Sequence, residues 1–97
     1  MAASVTVRHE PEENRFVADV AGGTAELAYM RPRPDLVAFV HTEVPEEAEG
    51  EGVGSALAKA GLAWAEAEGA KVLAYCPFVA AYVQRHPEWQ RIMGRPV

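Results

Sequence analysis

Glu49-Gly50-Glu51-Gly52-Val53-Gly54-Ser55-Ala56-Leu57 is where this chain changes its hydrophobic period, and the reading of that stretch decides the fold. Glycines at alternate positions from 50 to 54 let the backbone bend sharply and let another group come close to it. Downstream, apolar residues fall at 53, 56, 57, 60, 64 and 67. That is the i, i+3, i+4 spacing of a helix, which Gly69 is placed to stop. Upstream, the spacing is that of strands.

Working back towards the N-terminus, residues 36–44 form a strand that Pro45 ends. Its run Leu36-Val37-Ala38-Phe39-Val40 is apolar on both faces, which predicts a central strand covered on both sides. Residues 31–35 hold two prolines and read as a loop, and residues 24–30 as a strand. Gly22-Gly23 is a hairpin signal. Residues 15–20 alternate, residues 10–14 are a polar turn, and residues 4–9 alternate again with Val5 and Val7 on one face. Beyond the helix, residues 71–76 are a short apolar strand. Pro77 suits a helix start because its φ is fixed and it has no amide proton to waste. A helix over residues 78–85 follows, Pro87 interrupts it, and residues 88–93 add a short turn.

The order is β-β-β-β-α-β-α, an α+β fold in a single domain over residues 1–97. The strand–helix–strand crossover makes strands four and five parallel beneath the helix, in a sheet that is otherwise mostly antiparallel.

Composition narrows the function. The net charge is −5, with acids clustered at residues 10–13 and 43–51, and the basic residues make no stripe, which argues against a nucleic-acid partner. No stretch approaches the ~20 apolar residues of a membrane span, and charged residues interrupt any apolar leader. A cytoplasmic protein is expected. The single cysteine, Cys76, excludes an internal disulfide and a cysteine-cluster zinc site. His9, His41 and His86 lack metal-site spacing, so no metal is expected.

The glycine stretch at a helix start suggests phosphate binding. The first turn of a helix offers amide N–H groups with no internal partner, backed by the positive end of the helix dipole. There is no Gly-Lys-Ser/Thr, so this is not a P-loop. A Rossmann reading needs the glycines after the first strand, and here four strands come first. The alternative is that the glycines only shape a tight strand–helix connection.

Together these residues resemble motif A of the GNAT superfamily, Arg/Gln-x-x-Gly-x-Gly/Ala. Gly52 and Gly54 match its glycines, and Glu49 stands at the Arg/Gln position. The likeness extends to Val40-His41-Thr42-Glu43-Val44-Pro45 and to Cys76-Pro77-Phe78-Val79-Ala80-Ala81-Tyr82, followed by Arg85-His86-Pro87-Glu88-Trp89. These stretches resemble the short "YjdJ-like" branch of N-acetyltransferase-domain proteins. The resemblance implies a reduced GNAT fold with acetyl-CoA wedged between splayed strands four and five. Its pyrophosphate and adenine end would lie at Gly50, Glu51, Gly52, Val53, Gly54 and Ser55. The pantetheine would run along Thr42, Glu43 and Val44, walled by Phe78 and Tyr82. Larger members build an acceptor site from two helices between strands one and two, where this chain has only a turn, and they carry two further strands at the end. Val83 aligns with their usual general-acid tyrosine.

The resemblance also puts the thioester near His41 and Cys76. These two residues lie near the ends of neighbouring strands. A histidine can take a proton near neutral pH, and a cysteine at a helix start can act as a thiolate nucleophile. Cys76 reads equally well as a small buried hydrophobe. The expected function is acetyl transfer from acetyl-CoA to an unidentified amine by a monomer, and the alternative is a coenzyme A-binding module with little or no transferase activity.

Overall fold

The alternating segments of the first half pair with one another in chain order. The computed structural model describes residues 5–94. In it β1 (Arg8–Glu10), β2 (Arg15–Val20), β3 (Gly23–Arg33), β4 (Leu36–Glu43) and β5 (Lys71–Ala74) form one sheet in the order β1-β2-β3-β4-β5. The first three pairings are antiparallel, and β4 and β5 are parallel. The crossover between the parallel strands carries α1 (Val53–Ala67). After β5 come α2 (Pro77–Arg85) and a 3₁₀ turn, Pro87–Ile92.

The helical period at residues 53–67 buries Leu57, Leu62 and Ala65 against Phe16, Leu27, Tyr29 and Phe39 of the sheet. Each fully buried leucine contributes about 1.5–3 kcal/mol. Val79, Tyr82 and Val83 of α2 and Ile92 join the same core. On the opposite face, Leu36, Ala38 and Leu73 form a small separate cluster. Leu36, Val37, Ala38 and Phe39 are all buried, as a strand covered on both sides requires. Val40, grouped with them in the apolar run, is 37% exposed.

Boundaries differ from expectation in four places. The first strand covers Arg8–Glu10 rather than residues 4–9. Val5 and Val7 pack against the core without joining a strand, and Ser4 lies outside the described residues. β3 runs on to Arg33, through what reads as a proline loop. Its register with β4 jumps between Met30 and Arg33, so Pro32 sits in a bulge, where its missing N–H costs no ladder bond. β4 ends at Glu43 rather than Val44. β5 stops at Ala74, and Cys76 instead occupies the N-cap position of α2.

A second bulge lies in β4. Ala28 pairs with His41, but the next residue, Tyr29, pairs with Phe39, which leaves Val40 as an extra residue. Alternation is therefore reset. Phe39 faces α1, Val40 and His41 are both exposed, and Thr42 returns to the α1 side opposite Leu27.

Candidate functional site

The two parallel strands part company halfway along. β4 and β5 pair from Leu36 and Lys71 as far as Phe39 and Ala74. The last bond between them runs from the Cys76 N–H to the Phe39 carbonyl, at 2.9 Å. Beyond that point β4 continues to Glu43 bonded only to β3, while the other chain turns away into α2. A wedge opens between them.

The wedge is filled by the glycine loop and the start of α1. Pro45 ends β4, and a 3₁₀ turn, Glu46–Ala48, buries Ala48 beneath the loop. Gly52 then caps α1 with φ of 80°, a left-handed conformation that glycine adopts without strain. No side chain caps this helix, and its first internal bond runs from the Ala56 N–H to the Gly52 carbonyl. The amides of Val53, Gly54 and Ser55 therefore have no acceptor within the helix. Gly54 has a separate role. A Cβ there would come within 2.6 Å of the Phe78 ring, so the missing side chain is what lets Phe78 close over the helix start.

These pieces line an open cavity of about 490 Å³. Among the residues read as cofactor-binding, Thr42, Val44, Gly50, Gly52, Val53, Gly54, Ser55 and Phe78 line it. Glu43, Glu51 and Tyr82 do not. Tyr82 lies in the core with its ring 4.2 Å from that of His86, and burial pushes its phenol above the ordinary value, with the charge of Glu88 adding to the shift. Ala48, Glu49 and Arg85 complete the lining. Arg85 was legible in principle, because it stands seven residues after Phe78 and so two turns along the same helix face.

The two residues read as catalytic have different surroundings. Cys76 is 3% exposed, and its sulfur lies 2.9 Å from the Thr42 hydroxyl. Thr42 is thus the polar side chain the structure brings to Cys76. His41 is exposed on the other face of the sheet, where the bulge directs it.

The model of the GCN5-related N-acetyl-transferase family matches residues 15–92. The chain belongs to this family. Among its relatives, Protein NATD1 of Xenopus tropicalis is 30% identical over 88 residues, which cover 89% of this chain and 81% of that one. Protein NATD1 of Homo sapiens is 31% identical over 85 residues, covering 86% of this chain and 75% of the relative. The fold is also that of a GCN5-like protein from Staphylococcus aureus whose solution structure superposes with a TM-score of 0.72, at 24% identity, over 95% of this chain and 90% of that one.

Members of the GCN5-related N-acetyltransferase family generally use acetyl-CoA. The residues of this member fit such a group: free amides for a phosphate at the start of α1, and the apolar surfaces of Val44, Ala48, Val53 and Phe78 for an uncharged arm. The fit rests on backbone, since Glu49 is an acid at the position where the motif usually carries Arg or Gln.

Proposed function

We propose that this protein is an acetyl-CoA-dependent N-acetyltransferase whose acceptor is an amine. The observation that carries the reading is the set of uncapped amides at Val53, Gly54 and Ser55, which open onto a cavity at the place where β4 leaves β5. These amides would hold the coenzyme's phosphates, Val44 and Phe78 would enclose its arm, and Thr42 would border the end nearest Cys76. The coenzyme supplies an acetyl group activated as a thioester. Everything else falls to the chain.

An attacking amine must lose a proton, and His41 is assigned that proton; its exposed imidazole lies past the divergence of the strands on the sheet face away from α1, so the amine would approach from that face. Cys76 has two roles open to it. It would accept the acetyl group on its sulfur before the amine does, its S–H proton ending on the coenzyme thiolate that departs, with Thr42 orienting the thiol, or it would serve only as the hydrogen-bonded floor of the wedge. No helix among the described residues is long and apolar enough to cross a membrane, and an aqueous, cytoplasmic setting matches a small-molecule or protein amine as acceptor.

The test is a calorimetric titration with acetyl-CoA followed by an amine-panel assay. Saturable binding and turnover are expected, with His41→Ala lowering the rate by about 10²–10⁴. Equal rates for His41→Ala and wild type would remove His41 from the mechanism. Mass spectrometry after mixing with acetyl-CoA should show one acetyl group on Cys76 if the two-step route operates, and none in Cys76→Ala. A second reading, a coenzyme A-binding module without transfer, is favoured by the burial of Cys76 and by the short turn that stands where larger members have acceptor helices. Binding without turnover across the panel would select it.

A further inference from the structure

The arginines of this chain are mostly occupied. Arg8 pairs with Asp19, Arg15 with Glu26, Arg31 with Glu68, Arg33 with Asp35, and Arg91 with Glu66. Arg85 is the exception among the described residues: it has no carboxylate partner in a chain of net charge −5. It is also the one cation among the residues lining the cavity.

Its position is set by the helix that carries it. α2 begins with Cys76 as cap, presents Phe78 to the start of α1, and ends at Arg85. Two turns separate Phe78 from Arg85, so both side chains project from one face towards one cavity. Glu49 is the only carboxylate that lines the same cavity. An anionic ligand entering beside Glu49 meets a like charge, and the three free amides are the backbone's answer to it. A guanidinium adds what amides lack: a full positive charge and a planar fork of donors that matches phosphate oxygens. A cation at the last position of α2 is also compatible with the negative end of that helix's dipole, but this structural role would be served equally by lysine and would not depend on a ligand.

We propose that Arg85 is a phosphate-binding residue of the coenzyme site, supplying from α2 the positive charge that Glu49 fails to supply from the loop. This rests on the coenzyme A reading above. Arg85 then sets the preference for a phosphorylated coenzyme, and it makes binding salt-dependent in a way that amides alone would not.

The experiment is isothermal titration of wild type, Arg85→Gln and Arg85→Lys with coenzyme A and with dephospho-coenzyme A, at low and at moderate salt. Arg85 is exposed, so all three proteins are expected to fold, which a thermal melt verifies. Arg85→Gln should raise the Kd for coenzyme A roughly tenfold, a change of about 1.4 kcal/mol, and should flatten the salt dependence. Arg85→Lys should recover part of the affinity and most of the salt dependence. A loss confined to coenzyme A assigns the contact to its 3′-phosphate, and a loss for both ligands assigns it to the pyrophosphate. An unchanged Kd in Arg85→Gln overturns the proposal while leaving the coenzyme reading intact, and so does an equal loss in both variants with unaltered salt dependence. A wild-type protein that binds neither ligand sinks the coenzyme reading, and this proposal with it.

Discussion

β4 is one strand with two halves, and they obey different rules. From Leu36 to Phe39 it is bonded on both edges, buried on both faces and closed to solvent. From Val40 to Glu43 it is bonded on one edge only, bulged, and largely exposed. The first half holds the sheet together. The second gives up a neighbour, and the space left by that missing strand is where the cavity lies. The change of role happens within one residue step, at the Cys76–Phe39 backbone bond, so stability and function can be perturbed separately along the same strand.

The largest expected effect lies in the first half. Phe39 is fully buried, and Phe39→Ala should cost about 3–5 kcal/mol, read as a fall in the denaturant midpoint. A loss below about 1 kcal/mol would mean that the sheet does not depend on this half. Next comes Gly54→Val, on the far wall of the wedge. Its side chain would meet the Phe78 ring, so overpacking should cost about 1–3 kcal/mol and weaken coenzyme binding at the same time. Retained affinity would show that Phe78 need not close over the helix start. Thr42→Val keeps the shape of the open half and removes its hydroxyl from Cys76. A loss of about 1 kcal/mol is expected, read as a fall in the denaturant midpoint. His41→Ala should change stability by no more than about 0.5 kcal/mol, because the side chain is exposed, although it is assigned the larger effect on rate.

A smaller, pH-dependent effect arises outside β4, at the first strand. His9 stacks on Phe16 at 4.2 Å, and its Nε2 lies 2.6 Å from the Tyr29 hydroxyl. Burial holds its imidazole below the ordinary 6.5, against a smaller upward pull from Glu68. The folded protein therefore binds fewer protons at His9 than the unfolded chain does. Its contribution to stability is complete above pH 6.5 and declines as pH falls below that value. Melting temperature should drop between pH 7 and pH 5.5, and His9→Gln should flatten that drop. The carboxylates held low by arginines, Glu10 and Asp19, act in a lower window, below about 4.5. A slope that survives in His9→Gln would place the titrating group elsewhere.

Most of the fold was legible because it depends on spacing. The period of two before residue 45, the period of 3.6 after residue 52 and the glycines between them fix strand order and the crossover. What was not legible depends on register. A bulge adds one residue to one strand and leaves no mark in composition, so nothing in Val40-His41-Thr42 told that His41 would face away from α1 and Thr42 towards it. The pairing of Thr42 with Cys76 follows from that reset. Tyr82 lies four residues from Phe78 on the same side of α2, yet it is buried in the core and does not line the cavity. Pro32 lengthened a strand it was expected to end, because a bulge asks nothing of its nitrogen.

The free edge of β5 has a further consequence. The chain returns after Ile92 to bond along it, with a parallel bridge from Met93 to Val72 and a bond of 2.7 Å from the Gly94 N–H to the Val72 carbonyl. At the other margin of the sheet, β1 spans three of the described residues. An open sheet invites another chain to add a strand, and that is how many proteins begin to aggregate. Here the invitation is withdrawn on one side by a backbone strap and on the other by brevity. Removing the strap should therefore be felt first as self-association on storage, before any loss at the wedge.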